Sequence, residues 1–290
     1  MDERRKINEF YLKMTINCKG QLVDLSTPKV MGILNVTPNS FFDGGKYKNE
    51  SDMLSKVGKM LSEGATFIDV GAYSSKPSAE FVSEEEELQR IVPIINLILE
   101  YYPETLISID TFRSDVAKVC IENGAAIIND ISAGNLDDNM LETIAKYNVP
   151  YIMMHMRGTP QTMQAMTSYE NIVKEILFYF SERIAQARSH GINDLIVDPG
   201  FGFAKTLEQN YEVLQKMELF EILELPLLAG VSRKSMIYKT LHSTAEEALN
   251  GTTVLNTIAL TKGAKILRVH DVKEAMECVT LFNKIQGIRF

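Results

Sequence analysis

Eight short apolar runs, each followed by a longer segment of helical periodicity, predict an α/β fold and, within it, a (β/α)8 TIM barrel. Three observations carry this expectation. The runs are near-continuously apolar, as expected of parallel strands covered on both faces. They recur over about 260 residues, the length of such a barrel. Polar residues close almost every run, at the strand ends where this architecture gathers its chemistry. A doubly wound open sheet is the alternative. It usually has fewer strands and often a phosphate-binding glycine fingerprint, and neither GxGxxG nor GxxxxGK with Ser or Thr occurs in the chain.

Residues 1–28 stand outside the repeat, and Thr15–Asn17, Gly20 and Leu22–Leu25 predict a short hairpin-like extension closing the barrel bottom. The candidate strands are Lys29–Asn35, Thr66–Val70, Leu106–Asp110, Ala126–Asn129, Tyr151–His155, Asp194–Asp198, Leu227–Val231 and Lys265–Arg268. Asp52–Glu63 and Asn171–His190 carry the clearest helical periodicity. Ser83 with Glu86, Thr206 with Gln209 and Ser243 with Glu246 fit capping boxes. Glu84–Glu87 read as a solvated first helical turn favoured by the helix dipole. Gly64, Gly124, Gly191 and Gly263 mark helix ends before the next strand. No Pro/Ser-rich linker interrupts the pattern, so 1–290 reads as a single domain with 1–28 as its N-terminal extension.

The composition is that of a globular chain with a sizeable core: 290 residues, 45% hydrophobic and 23% charged. A net charge of -8 argues against a nucleic-acid partner, and any anionic ligand would need a local basic cluster. Cys18, Cys120 and Cys278 are an odd number, far apart and without a CxxC, which fits a reducing compartment. MDERRKINEF lacks the apolar core of a signal peptide, and no run approaches a membrane span. The expectation is a cytoplasmic protein with no membrane partner.

The strand ends place Asn35, Asp69, Asp110, Asn129, His155, Asp198, Ser232-Arg233-Lys234 and Arg268-Val269-His270 around one mouth. Asp110, Asn129 and Asp198 offer acceptors from three strands, suited to a heterocycle edge with a row of N–H donors. A glycosidase-type acid pair fits poorly, because Asn129 lies between the acids and cations follow them. Lys234 after the seventh strand, with Arg268 and His270 after the eighth, form a basic cluster at the usual phosphate site of this fold. The long segments Val36–Glu50, with Phe41-Phe42-Asp43 between Pro38 and Gly44-Gly45, and Gly71–Phe81, with Ser74-Ser75-Lys76-Pro77, read as lids over the mouth. His155, His190 and Cys120 read as packing residues.

These residues resemble the dihydropteroate synthase family. Seven segments carry the resemblance in order: Met31–Pro38 with Phe41 and Asp43-Gly44-Gly45; Phe67–Ala72 with Ser74–Pro77; Ile107–Thr111; Ile127–Ile131; Asp198–Phe203; Ser232–Ser235; and Arg268–Val272. The resemblance implies that Asp110, Asn129, Asp198 and Lys234 bind the pterin ring, walled by Met154, Phe203 and Gly230. It implies Mg2+ on Asn35 and diphosphate on Ser75, Arg268 and His270. It places Phe41, Ser75, Lys76, Pro77 and Ser235 at the p-aminobenzoate site and Asp43 on the first loop near the reacting centre. Asp43, Lys234, Arg268 and His270 would be the catalytic set. The implied reaction is alkyl transfer: pyrophosphate leaves a pterin methyl diphosphate and the amine of p-aminobenzoate replaces it, in a homodimeric enzyme. Asn39, Ser75, Lys76 and Ser78 depart from the usual Asp, Thr, Arg and Gly, and Lys76 in particular lacks a planar fork. A methyltetrahydrofolate methyltransferase, the nearest rival, has no need for Arg268 and His270 as an anion site. A non-catalytic pterin-binding descendant of the enzyme is the other alternative, with Asn39 and Lys76 as its support.

Overall fold

Alternation along each apolar run decides which side chains face the barrel axis and which face the helices. The computed structural model describes residues 14–36, 46–73 and 82–287. Among them, β3 (Lys29–Asn35), β4 (Phe67–Gly71), β5 (Leu106–Asp110), β6 (Ile127–Asp130), β7 (Tyr151–Met154), β8 (Leu195–Asp198), β9 (Leu227–Ala229) and β10 (Ala264–Val269) close a parallel barrel, with β10 pairing back onto β3. The predicted strands are recovered with shifted ends. β9 is the shortest, stopping at Ala229 rather than Val231, and its register with β10 slips between Ala264 and Ile266.

One set of positions packs outward. Val30, Ile68, Ile107, Ile128, Val197 and Leu267 join the apolar faces of the surrounding helices in the largest core cluster. The helices are α1 (Lys46–Ser62), α2 (Glu84–Tyr101), α3 (Ser114–Glu122), α4 (Met140–Tyr147), α5 (Ile172–Ser189), α6 (Leu207–Gln215), α7 (Ser235–Thr240), α8 (Leu249–Thr261) and α9 (Val272–Ile285). The alternate set forms a separate inner cluster: Met31, Phe67, Ile127, Ile152, Ile196, Leu228 and Ile266. The antiparallel pair β1 (Thr15–Cys18) and β2 (Gln21–Asp24) belongs to that inner cluster through Ile16, Cys18 and Val23, with Leu25 just beyond. The extension therefore plugs the barrel at its N-terminal end, as its sequence predicts. Ile16 and Leu25 are fully buried there, each worth ~1.5–3 kcal/mol of transfer free energy. Asn17 N–H donates to Asp194 at 2.9 Å, tying the plug to the start of β8.

The local signals fare unevenly. Gly64, Gly124, Gly191 and Gly263 all adopt positive φ after helices, as expected. Thr206 and Gln209 form the reciprocal capping box. Ser83 accepts from Glu86 N, but the Glu86 carboxylate turns to Arg90, so that box is half formed. The third box is displaced by one residue: Thr244 pairs with Glu247, not Ser243 with Glu246. The acidic run is a correction as well. Glu87 is 1% exposed, because Arg113 (2.6 Å) and Thr111 (2.8 Å) draw its carboxylate inward.

Candidate active site

Two residues above each inner apolar position, the same strand face reaches the C-terminal mouth. Phe67 is followed by Asp69, Ile127 by Asn129, Ile152 by Met154, Ile196 by Asp198, Leu228 by Gly230 and Ile266 by Arg268. Asp110 stands opposite Asn129 in the β5–β6 register, and Met154 opposite Asp198 in β7–β8. The strand period thus carries the apolar plug up into a mouth lined by Asp69, Asn129, Asp198 and Arg268.

Arg268 crosses this ring. Its Nε donates to Asp69 Oδ2 at 2.6 Å and its Nη2 to Asp110 Oδ2 at 2.7 Å. Asn129 Nδ2 donates to the same Asp69 oxygen at 3.2 Å, which leaves the Asn129 carbonyl as an acceptor. Asp69 is 0% exposed, and its Oδ1 has no hydrogen-bond partner among the described residues. Burial opposes the Arg268 charge, but Asp69 and Asp110 more than offset it and raise its pKa. Burial, reinforced by the charge of Asp69 and opposed by Arg268, pushes Asp110 up to about 7.

Asp198 lies across the mouth. Its Oδ1 accepts from Gly200 N–H at 2.8 Å, and burial raises its pKa against the pull of Lys234. Lys234 donates from Nζ to the Phe201 carbonyl and sits 5.1 Å from the Phe203 ring centre. Burial lowers its pKa to about 8. Gly230 keeps the space between them open: a Cβ there would lie 3.9 Å from Asp198 Oδ2, 3.7 Å from Lys234 Nζ and 3.9 Å from Arg268 Cβ. Met154 and Phe203 join an apolar wall with Ile131, Met156 and Met163. Ser235 opens α7 beside Lys234. His270 lies at the mouth with Nδ1 3.0 Å from Ser232 Oγ. Asn35 is exposed at the end of β3.

A family model for pterin binding enzymes matches residues 31–270, most of the chain. The chain belongs to the pterin-binding enzyme family. The dihydropteroate synthase of Escherichia coli strain K12 is 44% identical to it over 268 residues, 92% of this chain and 94% of that one. A crystal structure of Yersinia pestis dihydropteroate synthase in a sulfonamide drug complex superposes with a TM-score of 0.88 at 40% identity, covering 94% of this chain and 100% of that one. The Xanthomonas albilineans dihydropteroate synthase with 4-aminobenzoic acid gives 0.87 at 34% identity, covering 96% and 100%. The resemblance read from seven sequence segments holds: the relatives of this pterin-binding enzyme are dihydropteroate synthases, transferases of folate biosynthesis.

The structure brings Asp110, Asn129, Met154, Asp198, Phe203, Gly230, Lys234 and Arg268 together at one mouth. Phe41, Asp43, Ser75, Lys76 and Pro77 lie outside the described residues. The basic cluster differs from expectation in its charge. Arg268 is neutralised by two carboxylates rather than held free. His270 is exposed at the mouth, yet desolvation by its neighbours and the Arg268 charge lower its pKa to about 4, which favours the neutral ring.

Two participants escaped the sequence reading. Asp69 stood among the strand-end residues without a role. Its signal was a carboxylate inside an otherwise apolar strand, which requires a buried cation. Lys205 is 6% exposed and donates to His155 Nδ1 (3.0 Å), Gly200 O (2.9 Å) and Phe203 O (3.1 Å). It joins the loops after β7 and β8 and so fixes the backbone that carries Phe203. Nothing in the sequence separates it from a surface lysine.

Proposed function

We propose that the chain condenses (7,8-dihydropterin-6-yl)methyl diphosphate with p-aminobenzoate, giving 7,8-dihydropteroate and pyrophosphate. The observation that carries this reading is the ring of acceptors Asp110, Asn129 and Asp198 on three strands, set against Arg268 and Lys234. The pterin edge donates N–H groups to those acceptors, taking over the contact that Asp110 makes with Arg268. Lys234 donates to the ring, and Met154, Phe203 and Gly230 shape the slot. Arg268 and His270 bind the diphosphate.

Among the described residues, no cluster of three His, Cys, Asp or Glu is placed to cage a metal. Asn35 offers one exposed amide oxygen, which fits a Mg2+ that keeps its waters and is held mainly by substrate phosphates. Such an ion supplies charge neutralisation to the diphosphate oxygens. In the reaction the pterin methylene–oxygen bond breaks, the diphosphate leaves with the electron pair, and the neutral amine of p-aminobenzoate forms the new C–N bond. Asp110 and Asp198 favour positive charge developing on the pterin methylene, while Arg268 and the His270 N–H favour the departing anion. No general base is required before attack, because the attacking aniline is already neutral; once the C–N bond has formed, the nitrogen releases its extra proton to solvent.

The 4-aminobenzoic acid of the Xanthomonas albilineans relative and the sulfonamide drug of the Yersinia pestis relative suggest the second substrate and its competitor. We assign that slot to Ser235 with Phe41, Ser75, Lys76 and Pro77, and place Asp43 near the reacting centre. We also place the enzyme in the cytoplasm. Exposed Val254, Leu281 and Ile285 on α8 and α9 support a homodimer through the outer helices. Described helices include none long and apolar enough to cross a membrane. The test is pyrophosphate release from both substrates, with and without Mg2+. Turnover that needs both substrates and Mg2+ is expected; pterin binding without turnover would overturn the reading.

A further inference from the structure

Two consecutive residues after β9 meet two consecutive residues after β10. Arg233 forks onto Asp271, Nε to Oδ2 and Nη2 to Oδ1, both at 2.8 Å. Its backbone N–H donates to Thr252 Oγ1 at 3.0 Å. Arg233 holds a φ of 53°, a conformation a non-glycine residue keeps only where its surroundings over-determine it. One step earlier, Ser232 is 4% exposed, and its Oγ lies 3.1 Å from the backbone N and 3.0 Å from ring Nδ1 of His270. The fork sets the register that brings hydroxyl and imidazole together.

A hydroxyl has one hydrogen and two lone pairs. The His270 backbone N–H can only donate, so it occupies one lone pair. The hydroxyl hydrogen then needs an acceptor, and among the described residues ring Nδ1 is the one in reach. A proton on Nδ1 would leave that hydrogen unpaired in a buried position, which folded chains avoid. We propose that Ser232 is a positioning residue that donates to Nδ1 of His270, fixing the ring as its Nε2–H tautomer and presenting a neutral N–H donor to the leaving diphosphate.

The last clause rests on the reading of His270 as a diphosphate contact; the tautomer does not. Among the described residues, the charged groups acting most strongly on the ring are Arg268, Lys56 and Arg233 against the carboxylate of Asp271. Partial desolvation and the neighbouring cations lower its pKa to about 4, which favours the neutral ring near physiological pH and leaves its orientation to decide what it can donate.

The test is nitrogen-15 NMR of the histidine-labelled, ligand-free protein near neutral pH, paired with steady-state kinetics. The wild-type His270 signal is expected to show a protonated Nε2 and a bare Nδ1. Ser232→Ala is expected to give a tautomer mixture and a kcat lowered roughly tenfold, the scale on which losing a ring-orienting partner acts. KM for p-aminobenzoate should stay unchanged, and Ser232→Thr, which keeps the hydroxyl, should restore both signal and rate. A wild-type Nδ1–H signal would overturn the proposal, as would Ser232→Ala with an unaltered tautomer. If Ser232→Ala fails to fold, the wild-type spectrum and Ser232→Thr decide alone. Absence of turnover in wild type would remove the diphosphate role and leave the tautomer standing.

Discussion

Asp69→Asn tests the centre of the site with one nearly isosteric change. The carboxylate holds Arg268 at 2.6 Å and Asn129 at 3.2 Å, and it is fully buried. Losing a hydrogen bond between charged groups costs ~1.5–3 kcal/mol. The larger penalty of an orphaned buried charge is avoided, because Arg268 keeps Asp110 at 2.7 Å. A stability loss of about 2 kcal/mol is expected, lowering Tm by roughly 4 °C in a chain this size. The pH dependence has a definite sign. Asp110 titrates at about 7, raised first by burial and then by Asp69. The folded chain therefore holds a proton that the unfolded chain releases, and this group's contribution to stability is lost as pH rises from the ordinary carboxylate range toward 7. Pterin N–H groups need the ionised form, so kcat/KM for the pterin substrate should climb through that same pH. Removing the Asp69 charge lowers the Asp110 pKa and should move the midpoint acidward, with kcat/KM above it reduced ~10-fold by the misaligned guanidinium. Pyrophosphate release across pH and a denaturant melt measure both effects. An unshifted midpoint with unchanged stability would refute this account of the network.

Four other substitutions probe separate parts of the site. Arg268→Ala and Asp198→Ala should each cost at least ~2 kcal/mol in kcat/KM, the scale of single preorganised contacts, and near wild-type turnover in either would sink the assignment. Gly230→Ala should fold normally, since its Cβ meets only ordinary contacts, yet raise the pterin KM ~5-fold by filling space between Asp198 and Lys234; kinetics alongside a melt separate the two effects. Gly200→Ala should lose ~2–4 kcal/mol of stability in a denaturant melt, because its Cβ would fall 2.1 Å from the His155 carbonyl at a φ of +71°.

The barrel was legible because its signal is repetitive. Each near-continuous apolar run is followed by a helical segment, so shifted strand ends did not alter the order or the closure. Candidate site residues were legible for the same reason: Asn129, Asp198 and Arg268 sit two positions above an inner apolar residue. Partnership was not legible. Sequence marks Arg268 as a cation but not that β4 and β5 place two carboxylates against it. It marks Glu84–Glu87 as a dipole-favoured turn but not that Arg113, from another loop, buries the last of them. Lys205 is the extreme case, a charged side chain whose burial depends wholly on the meeting of two loops.

That difference between residues and pairings changes how an acidic chain handles an anionic substrate. Read singly, Lys234, Arg268 and His270 form a positive island inside a chain of net charge -8. Read as pairs, Arg268 is bridged by Asp69 and Asp110, and desolvation lowers the pKa of Lys234 to about 8, of Lys205 to about 7 and of His270 to about 4. In the described site the strongest cation, Arg268, is already engaged by two acids, and desolvation weakens the others. Recognition there has to act at short range, by exchange. Under the proposed function, Arg268, which bridges Asp69 and Asp110, is also the donor for the anion, and pterin N–H groups satisfy Asp110 in its place. Under the proposed function such a site favours the complete substrate over free pyrophosphate, because the ring supplies the hydrogen bonds that release Arg268 from Asp110.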